Sequence, residues 1–164
     1  MIRLRDIMTR DVVAVSPDVS LRKVIELLSA RGISGMPVVR GDRAVGMITA
    51  KDIIDFEVAV RAAAEAYPDA HLGAEDRDAL ADHPVSEIMT RAVMALPSSA
   101  TVEEAADYLH AAKVHRLLVV DDGKMVGIVT TMDIATAVAE HKLGARTYVF
   151  ERPASARRSP PPAI

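Results

Sequence analysis

The chain has 164 residues, which suits one compact unit or two small units packed closely together. Hydrophobic residues make up 50% of it and aromatic residues 3%, so its core must be largely aliphatic. The formal net charge of −3 gives no electrostatic reason to expect binding to nucleic acid or to an anionic membrane. The absence of cysteine excludes disulfides, a thiol nucleophile and Cys-ligated zinc. Without a signal peptide or an apolar run near ~20 residues, we expect a cytoplasmic protein.

An internal repeat organises the chain. Ile7–Arg10 recurs as Ile88–Arg91, and the same shift of 81 residues gives 15 identities over the 47 positions from Ile7 to Ile53 without a gap. A match of this length in so small a chain indicates a duplication. We therefore predict repeat 1 at residues 1–53 and repeat 2 at residues 86–144.

The first half of each repeat predicts a short strand followed by a helix. The strand lies at Val12–Val15 in repeat 1 and at Val93–Leu96 in repeat 2. The helices begin after the N-cap residues Ser20 and Thr101, and Gly32 stands where a left-handed C-cap would end the first helix. Apolar residues spaced i, i+3, i+4 and i+7 predict that one face of this helix is buried.

The second half of each repeat predicts a β-hairpin and a second helix. The strands Met36–Val39 and Val45–Ile48 form the hairpin of repeat 1, and its equivalent in repeat 2 turns at Asp-Gly. One β-α-β-β-α unit with a three-stranded sheet would bury little by itself. We therefore predict an α/β (α+β) fold in which the two repeats pack sheet to sheet about a pseudo-twofold axis.

Residues 54–85 form a helical connector between the repeats. Their Ala-rich first part predicts that the second helix of repeat 1 continues to about residue 67, where Pro68 stops it. A further short helix is predicted at Asp76–Ala81. The Pro- and Arg-containing tail, residues 145–164, is expected to be flexible.

The sharpest local feature is a duplicated motif, Gly-x-x-Thr-x-x-Asp, at Gly46–Asp52 and Gly127–Asp133. It supplies four candidate ligand-binding residues: Thr49, Asp52, Thr130 and Asp133. In a purely structural interpretation, the threonine caps the helix and the aspartate complements the helix dipole. In a functional interpretation, the hydroxyl and the helix N–H groups hold phosphate and the carboxylate accepts ribose hydroxyls.

Catalysis finds little support in the sequence. It contains no serine nucleophile motif, no His-Glu zinc helix and no phosphate-binding P-loop. The five histidines lack a spacing typical of metal ligands. We predict no catalytic residue, no metal site and no enzymatic activity.

Three features together resemble the cystathionine-β-synthase (CBS) domain pair, or Bateman module, over roughly residues 4 to 142. They are Ile7–Thr9 before the first strand, the hairpins ending in the duplicated motif, and His115–Asp121. Members of this family bind adenosine-containing ligands in clefts between the sheets and associate as dimers through their helices. The resemblance implies a stand-alone regulatory homodimer that binds AMP, ADP or ATP and signals to a partner protein, which the sequence does not identify.

The resemblance also implies roles for individual residues. The motif aspartates contact the ribose, the motif threonines contact sugar or phosphate, and His115 and Arg116 contact phosphate. Repeat 1 departs from this pattern, because Ser34–Gly35 stands at the equivalent positions. Lys51 adds a cation to the first motif, where the second motif has Met132. We therefore expect unequal phosphate affinities and one phosphorylated ligand per chain.

Two alternatives stay open. The chain could be an interaction scaffold that keeps the fold but binds no nucleotide, or it could sense another adenosyl ligand such as S-adenosylmethionine or NAD. The scaffold is distinguished by whether Asp52 and Asp133 face an open cleft or are consumed by capping hydrogen bonds.

Overall fold

The computed structural model describes residues 2–66 and 83–140. The helices are α1 (Leu4–Ile7), α2 (Leu21–Arg31), α3 (Ala50–Ala66), α4 (Val102–Ala112) and α5 (Thr131–Ala139). The strands are β1 (Gly35–Arg40), β2 (Arg43–Thr49), β3 (Ala95–Leu96), β4 (Arg116–Asp121) and β5 (Lys124–Thr130), and a 3₁₀ turn lies at Val85–Glu87. The predicted mixed α/β class is confirmed.

Capping residues fix both ends of α2 and α4. The Ser20 hydroxyl accepts a hydrogen bond from the backbone three residues later, at 3.4 Å, and α2 ends at Gly32 with φ of 60°. Thr101 and Glu104 form a capping box, with bonds of 2.7 and 3.1 Å. α4 ends at Lys113 with φ of 53°, so a lysine takes the left-handed position that glycine takes in repeat 1.

The two hairpins are antiparallel, with equivalent registers and equivalent bulges. The Asp-Gly turn of repeat 2 has positive φ at Asp122 and Gly123, as a tight hairpin turn requires. In repeat 2, β3 adds to β4 in parallel. In the described part of repeat 1, the predicted first strand is reduced to one parallel bridge between Val15 and Val38, so this sheet has two strands instead of the predicted three.

The segment at the start of each repeat packs against the other repeat. Leu4 of α1 is fully buried in the core of repeat 2, whereas Val85 is fully buried in the core of repeat 1. Each segment crosses to the other repeat and is held there by one antiparallel bridge: Thr9 pairs with Ile128, and Thr90 pairs with Met47. Their backbone hydrogen bonds are 2.9–3.0 Å long. The repeats are therefore intertwined rather than merely adjacent.

Each crossing passes directly over a motif glycine. A Cβ atom on Gly46 would lie 2.7 Å from Met89 Sδ and 2.9 Å from the Thr90 carbonyl oxygen, and a Cβ on Gly127 would lie 2.7 Å from Met8 Sδ. The first residue of the duplicated motif and the methionine of the repeated Ile-Met-Thr thus form one contact, made twice. This contact gives a structural reason for the presence of both Ile-Met-Thr and Gly-x-x-Thr-x-x-Asp in each repeat.

The connector helix is present: α3 continues to Ala66. The predicted helix at Asp76–Ala81 and the tail at residues 145–164 lie outside the described residues. Within the described ranges, none of the helices combines the length and the apolar composition needed to cross a membrane.

We predict that Gly46→Ala lowers the free energy of unfolding by about 1–3 kcal/mol, because the added methyl group overlaps Met89 and the backbone beneath it. Gly127→Ala should have a similar effect, since its neighbours are the equivalent residues. Urea denaturation followed by circular dichroism measures both variants. An unchanged midpoint for either variant would show that its crossing is loosely packed.

Candidate ligand-binding clefts

Two clefts lie between the repeats, one beside the end of each hairpin. Cleft 1, of about 470 Å³, is lined by Thr49–Asp52 of repeat 1 and by residues 113–118 of repeat 2. Cleft 2, of about 600 Å³, is lined by Thr130–Asp133 of repeat 2 and by residues 32–35 of repeat 1. Both volumes lie within the range of roughly 300–1,000 Å³ that is typical of small-molecule sites.

The threonine and aspartate of each motif form a capping box at the start of α3 or α5. Asp52 Oδ2 accepts hydrogen bonds from the backbone N–H and the hydroxyl of Thr49, at 2.8 and 2.6 Å. The Thr49 hydroxyl in turn accepts from the Asp52 N–H at 3.2 Å. Thr130 and Asp133 repeat these bonds at 2.7, 2.8 and 3.2 Å. The motif residues therefore fall two to each cleft, with matching geometry.

Capping engages one carboxylate oxygen of each aspartate. Among the described residues, Oδ1 of Asp52 and of Asp133 accepts no hydrogen bond. Both side chains are partly exposed, and each lines its cleft. The structural and functional interpretations are thus compatible, because the cap fixes the carboxylate at the cleft wall and its second oxygen can still accept hydrogen bonds from a ligand.

The Arg116 side chain crosses the pseudo-twofold axis and contacts repeat 1 at the two positions that are equivalent to His115 and Arg116. Its guanidinium donates to the Gly35 carbonyl oxygen at 2.9 Å and to the Ser34 hydroxyl at 2.6 Å. A Cβ on Gly35 would lie 2.7 Å from Arg116 Nη1, so the glycine makes room for the arginine. Burial lowers the pKa of the Arg116 guanidinium, which stays a cation at neutral pH. Arg116 lines both clefts.

His115 and Lys113 lie next to Arg116 along the chain. The exposed His115 lines both clefts, and its backbone carbonyl accepts a hydrogen bond from the Thr131 N–H at 3.0 Å. Lys113 lines cleft 1, although it belongs to none of the sequence motifs. The alignment of the two repeats could have identified it, because Lys113 stands at the position of Gly32, where the residue that ends the helix has a left-handed backbone conformation. Non-glycine residues at such positions are costly and concentrate at functional sites.

Lys51 stands at the mouth of cleft 1 with 80% of its side chain exposed. It forms an ion pair with Asp55, one turn later on α3, and this hydrogen bond raises the pKa of the Lys51 amine. A ligand would therefore have to compete with Asp55 for Lys51. Arg116, in contrast, already lies at the junction of the two repeats.

Aliphatic residues form the remaining walls. Met47, Met94 and Val114 line cleft 1, and Val13 and Ile33 line cleft 2. These side chains are suited to cover the faces of a flat heterocycle without an aromatic partner. In the described part of the chain, no group of three or more His, Asp or Glu side chains is placed to hold a metal ion.

Comparison with known proteins matches this architecture. The family model for the CBS domain matches residues 4–59 and 85–140. Inosine-5′-monophosphate dehydrogenase of Thermoplasma acidophilum is 30% identical over 135 residues, which cover 82% of this chain and 23% of that enzyme. The chain thus spans less than a quarter of the length of this relative.

Two solved structures share the fold over nearly their whole length. The crystal structure of CBSX2 in complex with AMP has a TM-score of 0.69 and 25% identity, and the match covers 87% of this chain and 99% of CBSX2. The CBS domain pair of protein MJ0100, in complex with 5′-methylthioadenosine and S-adenosyl-L-methionine, has a TM-score of 0.63 and 25% identity, with 83% and 98% covered. The chain therefore belongs to the CBS-domain family and carries two CBS repeats, as its sequence predicted.

Proposed function

We propose that this chain is a regulatory module that binds an adenine nucleotide of the AMP, ADP or ATP class in cleft 1. One observation carries the proposal. The Thr49–Asp52 pair of repeat 1 and the basic residues Lys113, His115 and Arg116 of repeat 2 line the same cleft. An aspartate for a ribose and cations for a phosphate are the two groups that a nucleotide requires.

In this proposal each part of the ligand has its own surface. The free Oδ1 of Asp52 accepts the ribose hydroxyls, and the aliphatic wall around Met94 and Val114 packs against the adenine. Arg116 binds the phosphate through the guanidinium N–H groups that do not donate to Ser34 and Gly35, assisted by His115 and Lys113. Because residues from both repeats hold one ligand, binding favours one relative placement of the repeats, which a partner protein can detect.

The ligands bound by relatives support an adenosine-based ligand. AMP is bound in the CBSX2 structure, and 5′-methylthioadenosine and S-adenosyl-L-methionine are bound in that of MJ0100. The basic residues Lys113, His115 and Arg116 in cleft 1 lead us to favour a phosphorylated ligand there. S-adenosylmethionine or NAD is the alternative that competition experiments distinguish.

We propose no enzymatic activity for this chain. The matched region of inosine-5′-monophosphate dehydrogenase is 23% of that enzyme, and it corresponds to the CBS repeats of this chain. We propose instead a cytoplasmic module that acts on a separate protein partner. A nucleotide-free scaffold is the competing function, and it would use the motif aspartates only as caps.

The first test is thermal unfolding with AMP, ADP, ATP, S-adenosylmethionine and NAD. A ligand at about 100 times its dissociation constant adds roughly 2.7 kcal/mol, which should raise the midpoint by roughly 5–10 °C. Asp52→Ala should abolish the rise given by AMP. Asp133→Ala is the matched control, because it removes the same capping bonds from the other helix. A flat response in ligand-free protein would favour the scaffold.

Lys113→Gly separates binding from stability. Glycine adopts φ of 53° without the penalty of a Cβ, so we expect the free energy of unfolding to rise by about 0.5–1 kcal/mol. Loss of the cation should weaken AMP binding roughly threefold to tenfold. Calorimetry measures both effects. Gly32→Ala, whose Cβ would meet no atom within 4 Å, isolates the backbone cost at the equivalent position. Unchanged AMP affinity would remove Lys113 from the site.

We also propose a homodimer formed through α3 and α5. Ile54 and Val58 lie one turn apart on α3 and are 59% and 61% exposed, and Val138 on α5 is 54% exposed. Replacing both Ile54 and Val58 with Glu should convert the dimer into a monomer, because apolar contacts would become buried charges. Analytical ultracentrifugation measures this change. A monomeric unchanged chain would contradict the proposal.

A further inference from the structure

Three large apolar side chains on the helices of repeat 1 are exposed at positions where repeat 2 has alanine. Ile25 on α2 is 43% exposed, and Ile54 and Val58 on α3 are 59% and 61% exposed. The 81-residue shift places alanine at all three equivalent positions of repeat 2: Ala106, Ala135 and Ala139. We call the exposed sides of α2 and α3 helix face 1, and those of α4 and α5 helix face 2. Helix face 1 therefore projects where helix face 2 is recessed.

A groove on helix face 2 lies beside one of these alanines. It has a volume of about 560 Å³, and its apolar lining includes Ala106 and Leu109 on α4 and Ile134 on α5. If helix face 1 packed against itself, two projecting isoleucines would meet, and two grooves would face each other where helix face 2 packed against itself. Neither contact would be closely packed. Helix face 1 against helix face 2 allows Ile25 to bury its apolar surface in the groove.

The charges of the two helix faces are opposite on their first helices. α2 carries three basic residues and one acidic residue, whereas α4 carries three acidic residues and no lysine or arginine. Lys23 is paired with Glu26 at 3.2 Å, but Arg22 and Arg31 keep α2 positive. α3 and α5 are both acidic, so the difference between the repeats lies in α2 and α4.

The difference in charge lies next to the difference in size. Arg22 stands three residues before Ile25, and Glu103 stands three residues before Ala106, so each charge neighbours that position on its own helix. Both charged side chains are exposed. A contact centred on Ile25 and Ala106 has opposite charges within one turn on either side, which is near enough to attract at physiological ionic strength. Packing either helix face against itself brings like charges together instead.

We propose that two copies of this chain associate in an antiparallel orientation, with helix face 1 of each copy on helix face 2 of the other. This inference rests on the proposed homodimer and specifies which repeat meets which. A twofold axis makes the contact twice, so both faces of both copies are covered and association stops at the dimer. The groove shares Lys113, Val114 and His115 with cleft 1, so α2 of the partner copy packs behind one wall of that cleft.

Disulfide trapping tests the orientation directly, since the chain contains no cysteine. Ile25→Cys and Ala106→Cys are purified separately, mixed, oxidised and resolved by non-reducing electrophoresis. We expect a crosslinked dimer from the mixture and none from either variant alone, because a disulfide requires Cα atoms within about 7 Å. Arg40→Cys is the control: it is exposed at the end of β1, on neither helix face, and should crosslink with neither variant.

The outcomes separate this inference from the proposed homodimer. A crosslink formed by either helix variant alone would overturn the antiparallel orientation and leave the homodimer standing. A dimer in ultracentrifugation whose mixture fails to crosslink would do the same. A monomeric unchanged chain would contradict both proposals.

A charge exchange provides a second test. Arg22→Glu and Glu103→Arg should each raise the dissociation constant of the dimer roughly tenfold, because each change acts at two equivalent contacts. The double variant should restore the original value, since opposite charges face each other again. In a parallel dimer each single change would only replace one like-charge pair with another. Sedimentation equilibrium measures the constants, with Arg40→Glu as the control for net charge, and unchanged values for both single variants would overturn the inference.

Discussion

The contact between a methionine of one repeat and a motif glycine of the other is the constraint on which the rest of the structure depends. Met89 lies over Gly46, and Met8 lies over Gly127, each where a side chain would otherwise project. Because these contacts cross between the repeats, neither repeat can complete its core alone. They hold the two hairpin ends beside the opposite repeat, and that placement creates two clefts with walls from both halves.

The duplication supplies two similar clefts, and substitutions along one wall make them different. Arg116 and Gly35 occupy the same position in the two repeats, and the arginine extends into the space that the glycine leaves empty. Two arginines there would compete for one space and repel each other, so this site is asymmetric by packing as well as by charge. A symmetric architecture can thus present two chemically distinct sites.

The motif aspartates show how one side chain serves structure and binding together. Hydrogen bonds to Thr49 and Thr130 consume Oδ2 and stabilise the helix starts, and the same bonds fix the direction of Oδ1. A carboxylate held by its own backbone is preorganised, so a ligand has less conformational freedom to remove. For this reason the capping geometry alone does not distinguish a scaffold from a sensor, and ligand binding must decide.

The sequence by itself determined the duplication, the order of elements and the helix ends, because these depend on local spacing: Ser20 and Gly32 bound α2, and Asp122–Gly123 makes the hairpin turn. It also selected the motif residues of both clefts. It could not reveal that the segments at the start of the repeats exchange partners, that the first strand of repeat 1 shrinks to one bridge, or that Arg116 reaches Ser34 and Gly35. Those features join residues that are far apart along the chain, where periodicity and capping signals carry no information. Only tertiary packing decided which cations face which cleft. A side chain can cross the pseudo-twofold axis only where the equivalent residue of the other repeat is small enough to leave space.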